Sequence, residues 1–327
     1  MKLTLQQICS AARGIVRAEE VDGKVCLYRF TKEQEELYKT YSADFYKKTF
    51  ATAGVVLEFA TDSKELYLEV DTWSGSSRKY FEHSVFVNGK KYASLDCRGE
   101  NCGLFAGKWT LPDGEKQIKI YFPWSAASRI VALCISDGAS FTPIKSEKRM
   151  IMFGDSITHG YDAKHPENSY ASRLTDALGV DAVNKGIGGE IFFPALAECR
   201  DGIEPEYITV AYGTNDWSKG NKESFETKCR DFYTALSKNY PNAKIFALTP
   251  IWRKACRDGA INDIGKVSAI GEYIESVAKH LPNVTVIDGS TLVPAEEKYF
   301  SPDILHPNDA GFEHYFKNLL SEIEKHI

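Results

Sequence analysis

A chain of 327 residues with a net charge of −5 is longer than a typical single domain and too acidic to gather phosphates. Its 40 basic residues are scattered among 45 acidic ones, which excludes nucleic acid as a partner. With 43% hydrophobic residues and no apolar run near the roughly 18 residues of a membrane span, a globular chain with no membrane partner is expected.

The opening MKLTLQQICSAARGIVRAEE breaks its apolar residues with Gln, Ser and Arg before any signal-peptide core develops, so a cytoplasmic location is expected. The eight cysteines lack a paired CxxC spacing and read as reduced thiols; Cys97 and Cys102 in CRGENC read as a loop with two thiols rather than half a metal site.

Residues 1–145 consist of short runs with strand-like alternation. GVVLEFATDSKELYLEVDTW reads strand, turn, strand around Thr61-Asp62-Ser63, and Asn88-Gly89 in HSVFVNGKKYASL is a strong hairpin signal. WTLPDGEKQIKIYFP and RIVALCISDGASFTP add further strands, and TKEQEELYKTY predicts one short helix. A β-sandwich accessory domain over 1–145 is expected. SFTPIKSEKR has the polar, Pro-containing composition of a linker.

Over 146–327 the rhythm changes. RMIMFG, VDAVNKG, YITVAYG, AKIFALTP and NVTVIDG are short apolar runs alternating with amphipathic stretches such as NSYASRLTDAL, ESFETKCRDFYTALSKNY and VSAIGEYIESVAKHL. NDAGFEHYFKNLLSEIEKH adds a closing helix. That alternation predicts an α/β domain with a parallel five-stranded sheet covered by helices.

Ligands of open parallel sheets bind beyond the carboxyl ends of the strands. GDSITHG follows the first predicted strand, NKGIGGE the second, GTND the third, TPIWR the fourth, and SPDILHPN lies after the fifth. Taken singly, Ser156 reads as a helix N-cap, the glycines as a tight turn, and Asn215 or His306 as loop residues. Their joint placement on one sheet edge favours chemistry instead. Acyl transfer needs a nucleophile, a base, a group that orients the base, and donors for the oxyanion. Ser156, His306 and Asp303 fill the first three roles. The backbone N–H of Ser156, a glycine N–H of the second loop and the Asn215 amide supply the fourth.

The blocks GDSITHG, NKGIGG, GTND and DILH, in this order, resemble the signature blocks of the SGNH, or GDSL, esterase superfamily. The resemblance implies a flavodoxin-like three-layer fold with strand order 2-1-3-4-5, Gly189 as the oxyanion glycine, and a full Ser156–His306–Asp303 triad with no cofactor and no metal. A β-sandwich followed by such a domain is similar to the layout of carbohydrate esterase family 2, whose accessory domain is jelly-roll-like. The expected partner is therefore a small-molecule or oligosaccharide acyl ester, with O-acetyl groups foremost. Trp217, Trp252, Arg253 and Tyr161 are the candidate substrate-binding residues, since aromatic rings suit sugar faces and Arg bonds hydroxyls. Trp73 reads as surface or interface, Asp62 as a turn residue, His159 as shaping the pocket mouth, and His165 as no metal ligand. GEIFFPALAECR is the one candidate for an apolar lid, with Phe192 and Phe193 expected inside. The rival readings are a lipid-directed or general carboxylesterase and a non-catalytic carbohydrate-binding protein.

Overall fold

A computed structural model describes residues 1–327. It divides into two compact units: Met1–Glu147 with His165–Glu167 and Asp181–Val183, and Lys148–Lys164, Asn168–Val180 and Asn184–Ile327.

The first unit holds two antiparallel sheets around one apolar core. Leu66, Leu68, Val70, Ile130 and Leu133 enter that core from one sheet, and Phe59, Phe81, Val85, Ile118 and Ile120 from the other. Asn88 and Gly89 both take positive φ between Val87 and Lys90, as a two-residue hairpin turn of this hand requires. The Asp62 turn does something else. Val56–Thr61 and Glu65–Ser74 lie in different sheets, so the turn carries the chain across the core instead of folding a hairpin. Asp62 Oδ1 holds the crossing by accepting from the backbone N–H (2.7 Å) and hydroxyl (3.0 Å) of Ser140.

Two expectations need correction here. The stretch SFTPIKSEKR is not wholly a linker: Thr142 and Pro143 pair antiparallel with Ala60 and Phe59. The helix Lys32–Tyr41 forms behind a Thr31 and Gln34 capping box, but it is joined by Leu5–Ala11 and Ala43–Thr49. At seven residues, neither extra helix completes enough turns to show a period.

The predicted α/β architecture is present over residues 146–327, its sheet lying in the second unit except for Asp181–Val183. Arg149–Gly154, Asp181–Asn184, Tyr207–Ala211, Lys244–Leu248 and Val284–Ile287 form one sheet in the order second, first, third, fourth, fifth. The pairings from the first strand through the third and fourth to the fifth are parallel. Met150, Ile151, Met152 and Phe153 are wholly buried, as are Ile245 to Leu248, which explains their unbroken apolar runs. Tyr170 stacks on Tyr315 at 4.1 Å and so joins helix Tyr170–Leu178 to Asp309–Glu324. Phe192 is wholly buried among Tyr212, Phe225, Phe232 and Tyr233. It belongs to the core, and Phe193 is half-buried.

One charged pair is sealed inside this unit. Lys185 and Asp201 form an ion pair with both side chains fully buried, and the Asp201 N–H donates to the Tyr240 hydroxyl at 3.1 Å. Removing one partner of a buried pair strands the other charge, whereas replacing both with apolar residues does not. Lys185→Met should therefore lower the urea-denaturation free energy by about 3–5 kcal/mol. Lys185→Met with Asp201→Leu should recover most of that loss. A single-variant loss below about 1 kcal/mol would contradict the assignment.

Candidate active site

The first strand of the parallel sheet ends at Gly154, and the chain turns at Asp155 into a single helical turn, Ser156–His159. Asp155 is the N-cap, its Oδ1 accepting from the Ile157 N–H at 2.9 Å. Ser156 is thus not the cap but the first helical residue, a position whose own N–H has no acceptor within the helix. Gly160 ends the turn at φ +108°.

His306 meets Ser156 from the far end of the unit. Its Nε2 lies 2.8 Å from Ser156 Oγ, and its Nδ1 lies 2.6 Å from Asp303 Oδ2. A carboxylate only accepts, so Nδ1 carries the proton toward Asp303 and Nε2 is left to accept from the serine hydroxyl. Asp303 Oδ1 in turn accepts from the N–H groups of Leu305 (3.0 Å) and His306 (3.1 Å). Partial burial works against its charge, but the hydrogen bonds from the His306 ring and these amides outweigh it and hold the carboxyl at about 2. The loop is pinned by Ser301 N–H to His306 O and Lys254 N–H to Ile304 O, and it carries Ile304 at φ +50°, an uncommon conformation for a β-branched residue.

The glycine block fits against the serine turn at close range. Asn184 Oδ1 accepts from the Gly186 N–H at 2.8 Å, and its Nδ2 donates to Thr158 O at 2.7 Å. A Cβ on Gly186 would sit 2.3 Å from His159 N, and one on Gly188 2.6 Å from the Tyr161 hydroxyl. Only glycine permits that approach. Gly189 takes φ +89°, and its N–H has no acceptor within the chain. From the third loop, Asn215 Nδ2 donates to Glu190 O at 2.9 Å and reaches Asp155 Oδ2 at 3.4 Å.

Beneath these residues lie two carboxyls raised by burial. Burial pushes Asp155 up to about 6, against the opposing effects of the Ile157 N–H, His306 and Arg253. Asp216 is pushed up to about 7, although it accepts from Phe192 N–H and Gly213 N–H at 3.2 Å each. The charge of Asp155 adds to the rise at Asp216.

The four aromatic and cationic candidates part company. Trp217 and Arg253 line a cavity of about 310 Å³ with Lys254, Asp258, Asp303 and Leu305. Trp217 Nε1 donates to Gly265 O at 3.0 Å, and the Arg253 guanidinium lies 5.4 Å from its ring while donating to Thr214 O and Ser218 Oγ. Arg253 Nε has no partner. Trp252 packs on Phe300 at 5.3 Å and is not part of that wall. Tyr161 is only 4% exposed and stacks on the His306 ring at 5.6 Å, so it braces the imidazole instead of forming a rim. His159 likewise is buried, its Nδ1 accepting from the Gly188 N–H at 3.3 Å, and does not shape a pocket mouth. In the first unit, His165 Nδ1 and Lys91 Nζ both bond Glu82, so the lone carboxylate–histidine cluster there is already matched by cations. Trp73 lies beneath the Arg129 guanidinium.

Sequence reasoning did not single out Asp155, Lys254 or Asp162. Asp155 sits in the quoted block and follows the strand directly, which is a capping signal; the other two gain their meaning only through space.

Residues 152–314 match the GDSL-like Lipase/Acylhydrolase family. The second unit belongs to that family. A multidomain esterase of Ruminococcus flavefaciens is 30% identical over 126 residues, which are 38% of this chain and 16% of that protein. The chain thus matches about a sixth of its curated relative's length. Among solved structures, a salicylyl-acyltransferase from a tetracycline biosynthetic pathway aligns over 96% of this chain and 94% of its own, with a TM-score of 0.82 and 22% identity. A family two carbohydrate esterase of Clostridium thermocellum, solved in complex with cellohexaose, aligns over 84% of this chain and 93% of its own, with a TM-score of 0.66 and 17% identity. At these identities the likeness is one of fold.

The raised carboxyls give a signed pH dependence. A group whose folded pKa exceeds its unfolded value stabilises the fold fully below the unfolded value and loses that contribution as pH rises through the folded one. For Asp216 the window runs from about 3.8 to about 7. Asp216→Asn should therefore flatten the decline of unfolding free energy between pH 4 and 8 by a few kcal/mol at most, on the order expected for a shift of this size. Equal slopes for variant and wild type in urea titrations across that range would contradict it.

Proposed function

We propose that this chain is a serine ester hydrolase that removes short acyl groups, foremost O-acetyl groups, from carbohydrate hydroxyls through an acyl-enzyme. The observation that carries the reading is the continuous path from Ser156 Oγ through both ring nitrogens of His306 to a carboxylate held ionised. Ser156 Oγ attacks the ester carbonyl carbon while His306 Nε2 takes the hydroxyl proton. The bond to the sugar oxygen then breaks, and His306 returns the proton to that oxygen. Water adds to the acyl-enzyme with His306 again as base, and collapse releases the carboxylic acid and restores Ser156.

The developing oxyanion would take the N–H groups of Ser156 and Gly189 and one hydrogen of the Asn215 amide. Asn215 is anchored by its 2.9 Å bond to Glu190 O, so the hydrogen of its longer contact with Asp155 is the one an oxyanion would recruit. The acetyl preference is supported by the burial of Phe192, which withdraws one of the two phenylalanines of GEIFFPALAECR from contact with a long acyl chain. The carbohydrate reading is supported by the cavity beside Asp303, where the rim of Trp217 and the Arg253 and Lys254 cations suit a hydroxylated leaving group, and by the fold shared with a carbohydrate esterase. A second reading draws on the fold shared with an acyltransferase: an alcohol replaces water in the second half-reaction. The two are separated by whether an added acceptor alcohol gains the acyl group.

Ser156→Ala should keep the wild-type circular dichroism and lose about four orders of magnitude or more in kcat on 4-nitrophenyl acetate. Asn215→Ala should lower kcat about 100- to 1000-fold with little change in KM. Wild type should release acetate from acetylated xylo-, manno- or cello-oligosaccharides and prefer acetate to octanoate esters. Because Asp303 remains ionised down to about 2, an acidic limb above pH 4 does not come from Asp303, and protonation of His306 as the base should produce one. A preference for octanoate, or a profile flat through pH 5–8, would contradict this reading.

A further inference from the structure

The segment that carries the nucleophile touches the catalytic imidazole three times. Ser156 Oγ meets Nε2, the Tyr161 ring stacks on its face at an interplanar angle of 25°, and Asp162 Oδ2 lies 3.7 Å from Nδ1. The turn that delivers these residues is closed by Tyr161 N–H to Ser156 O (3.0 Å) and Ala163 N–H to Gly160 O (3.1 Å). Asp162 itself takes φ +68°, a left-handed conformation that Asp and Asn adopt more readily than other side-chain-bearing residues.

His306 Nδ1 therefore faces two carboxylates from separate parts of the chain. Asp303 rides on the histidine's own loop and is 40% exposed at its side chain, while Asp162 comes from the serine turn and is only 16% exposed. At 3.7 Å, Asp162 is beyond hydrogen-bonding range in this arrangement, yet within ion-pairing distance of the ring once it is protonated. The inference rests on reading Ser156 and His306 as nucleophile and base. We propose that Asp162 is a second carboxylate for His306, a positioning residue that steadies the imidazolium beside Asp303 and takes over the Nδ1 hydrogen bond when Asp303 is removed.

Charged groups around the ring are few and can be named: Asp303 and Asp162 at Nδ1, buried Asp155 below the serine turn, and the Arg253 cation, which acts on Asp155 and Asp303. Deleting the negative charge of Asp162 disfavours the protonated ring, so the acidic limb of kcat/KM should move to lower pH in Asp162→Asn. A merely structural role would lower the rate without moving the limb. Asn is the informative replacement because it keeps the left-handed backbone and the side-chain shape.

The experiment is a double-variant cycle on the full chain, with 4-nitrophenyl acetate as substrate and circular dichroism as the check on folding. Asp162→Asn alone should lower kcat less than about tenfold, with KM unchanged. Asp303→Ala should cost about 10- to 100-fold, well short of the roughly ten-thousandfold loss a triad without its carboxylate shows. In the Asp303→Ala background, Asp162→Asn should cost a further factor of about 100, because the imidazole then has no carboxylate left. The proposal is overturned if Asp162→Asn costs the same factor in both backgrounds, or if its acidic limb coincides with wild type. It also falls if Asp303→Ala is as inactive as Ser156→Ala. Retained activity in Ser156→Ala would overturn the underlying reading instead, and the proposal with it.

Discussion

The Asp155 carboxyl, fixed at the carboxyl end of the first strand, is the constraint on which the site depends. One oxygen caps the serine turn through Ile157 N–H, and the other is approached by Asn215 from the third loop. The strand beneath it is hydrogen-bonded on both sides, so the turn starts from one of the least mobile points of the sheet. Burial raises this carboxyl, and the cost is offset by fixing the Ser156–His159 helix without using the Ser156 side chain. Ser156 is then free to point its hydroxyl at His306.

The remaining parts reach this point by close approach. Glycines at 186 and 188 let the second loop lie on the backbone of the serine turn and the ring of Tyr161. Tyr161 passes that contact on to the His306 face, and the DILH loop brings Asp303 to the same ring. Orientation of the imidazole is thus over-determined by one stacking contact, one short hydrogen bond and the serine hydroxyl. An imidazole fixed from several sides has little reorganisation to undergo when it accepts and returns a proton.

Much of the second unit was legible in the sequence because strands buried on both faces leave unbroken apolar runs, as in Met150 to Phe153. The short helices Thr214–Lys219 and Lys254–Arg257 were not, since so few residues do not establish a period. In the first unit the strands themselves could be read, but not their sheets: nothing in TDS distinguishes a hairpin from a crossing, and the Ser140 contact that decides it lies far along the chain. The chemical blocks at Ser156, Asn184 to Gly189, Asn215 and Asp303 to His306 were readable as motifs. The faces of the aromatic residues were not. Trp217 and Trp252 differ by which neighbour each side chain meets, and Tyr161 and Asp162 acquire their positions beside His306 only through folding.

The central claim is that Ser156 Oγ becomes acylated during turnover. Rapid acid quenching during hydrolysis of 4-nitrophenyl acetate, followed by intact and peptide mass spectrometry, tests it directly. The account predicts one acyl group on the peptide containing Ser156, absent in Ser156→Ala and removed by further incubation in water. An acyl group on another residue, or turnover with no acylated enzyme when deacylation is made rate-limiting with a slower ester, would contradict it.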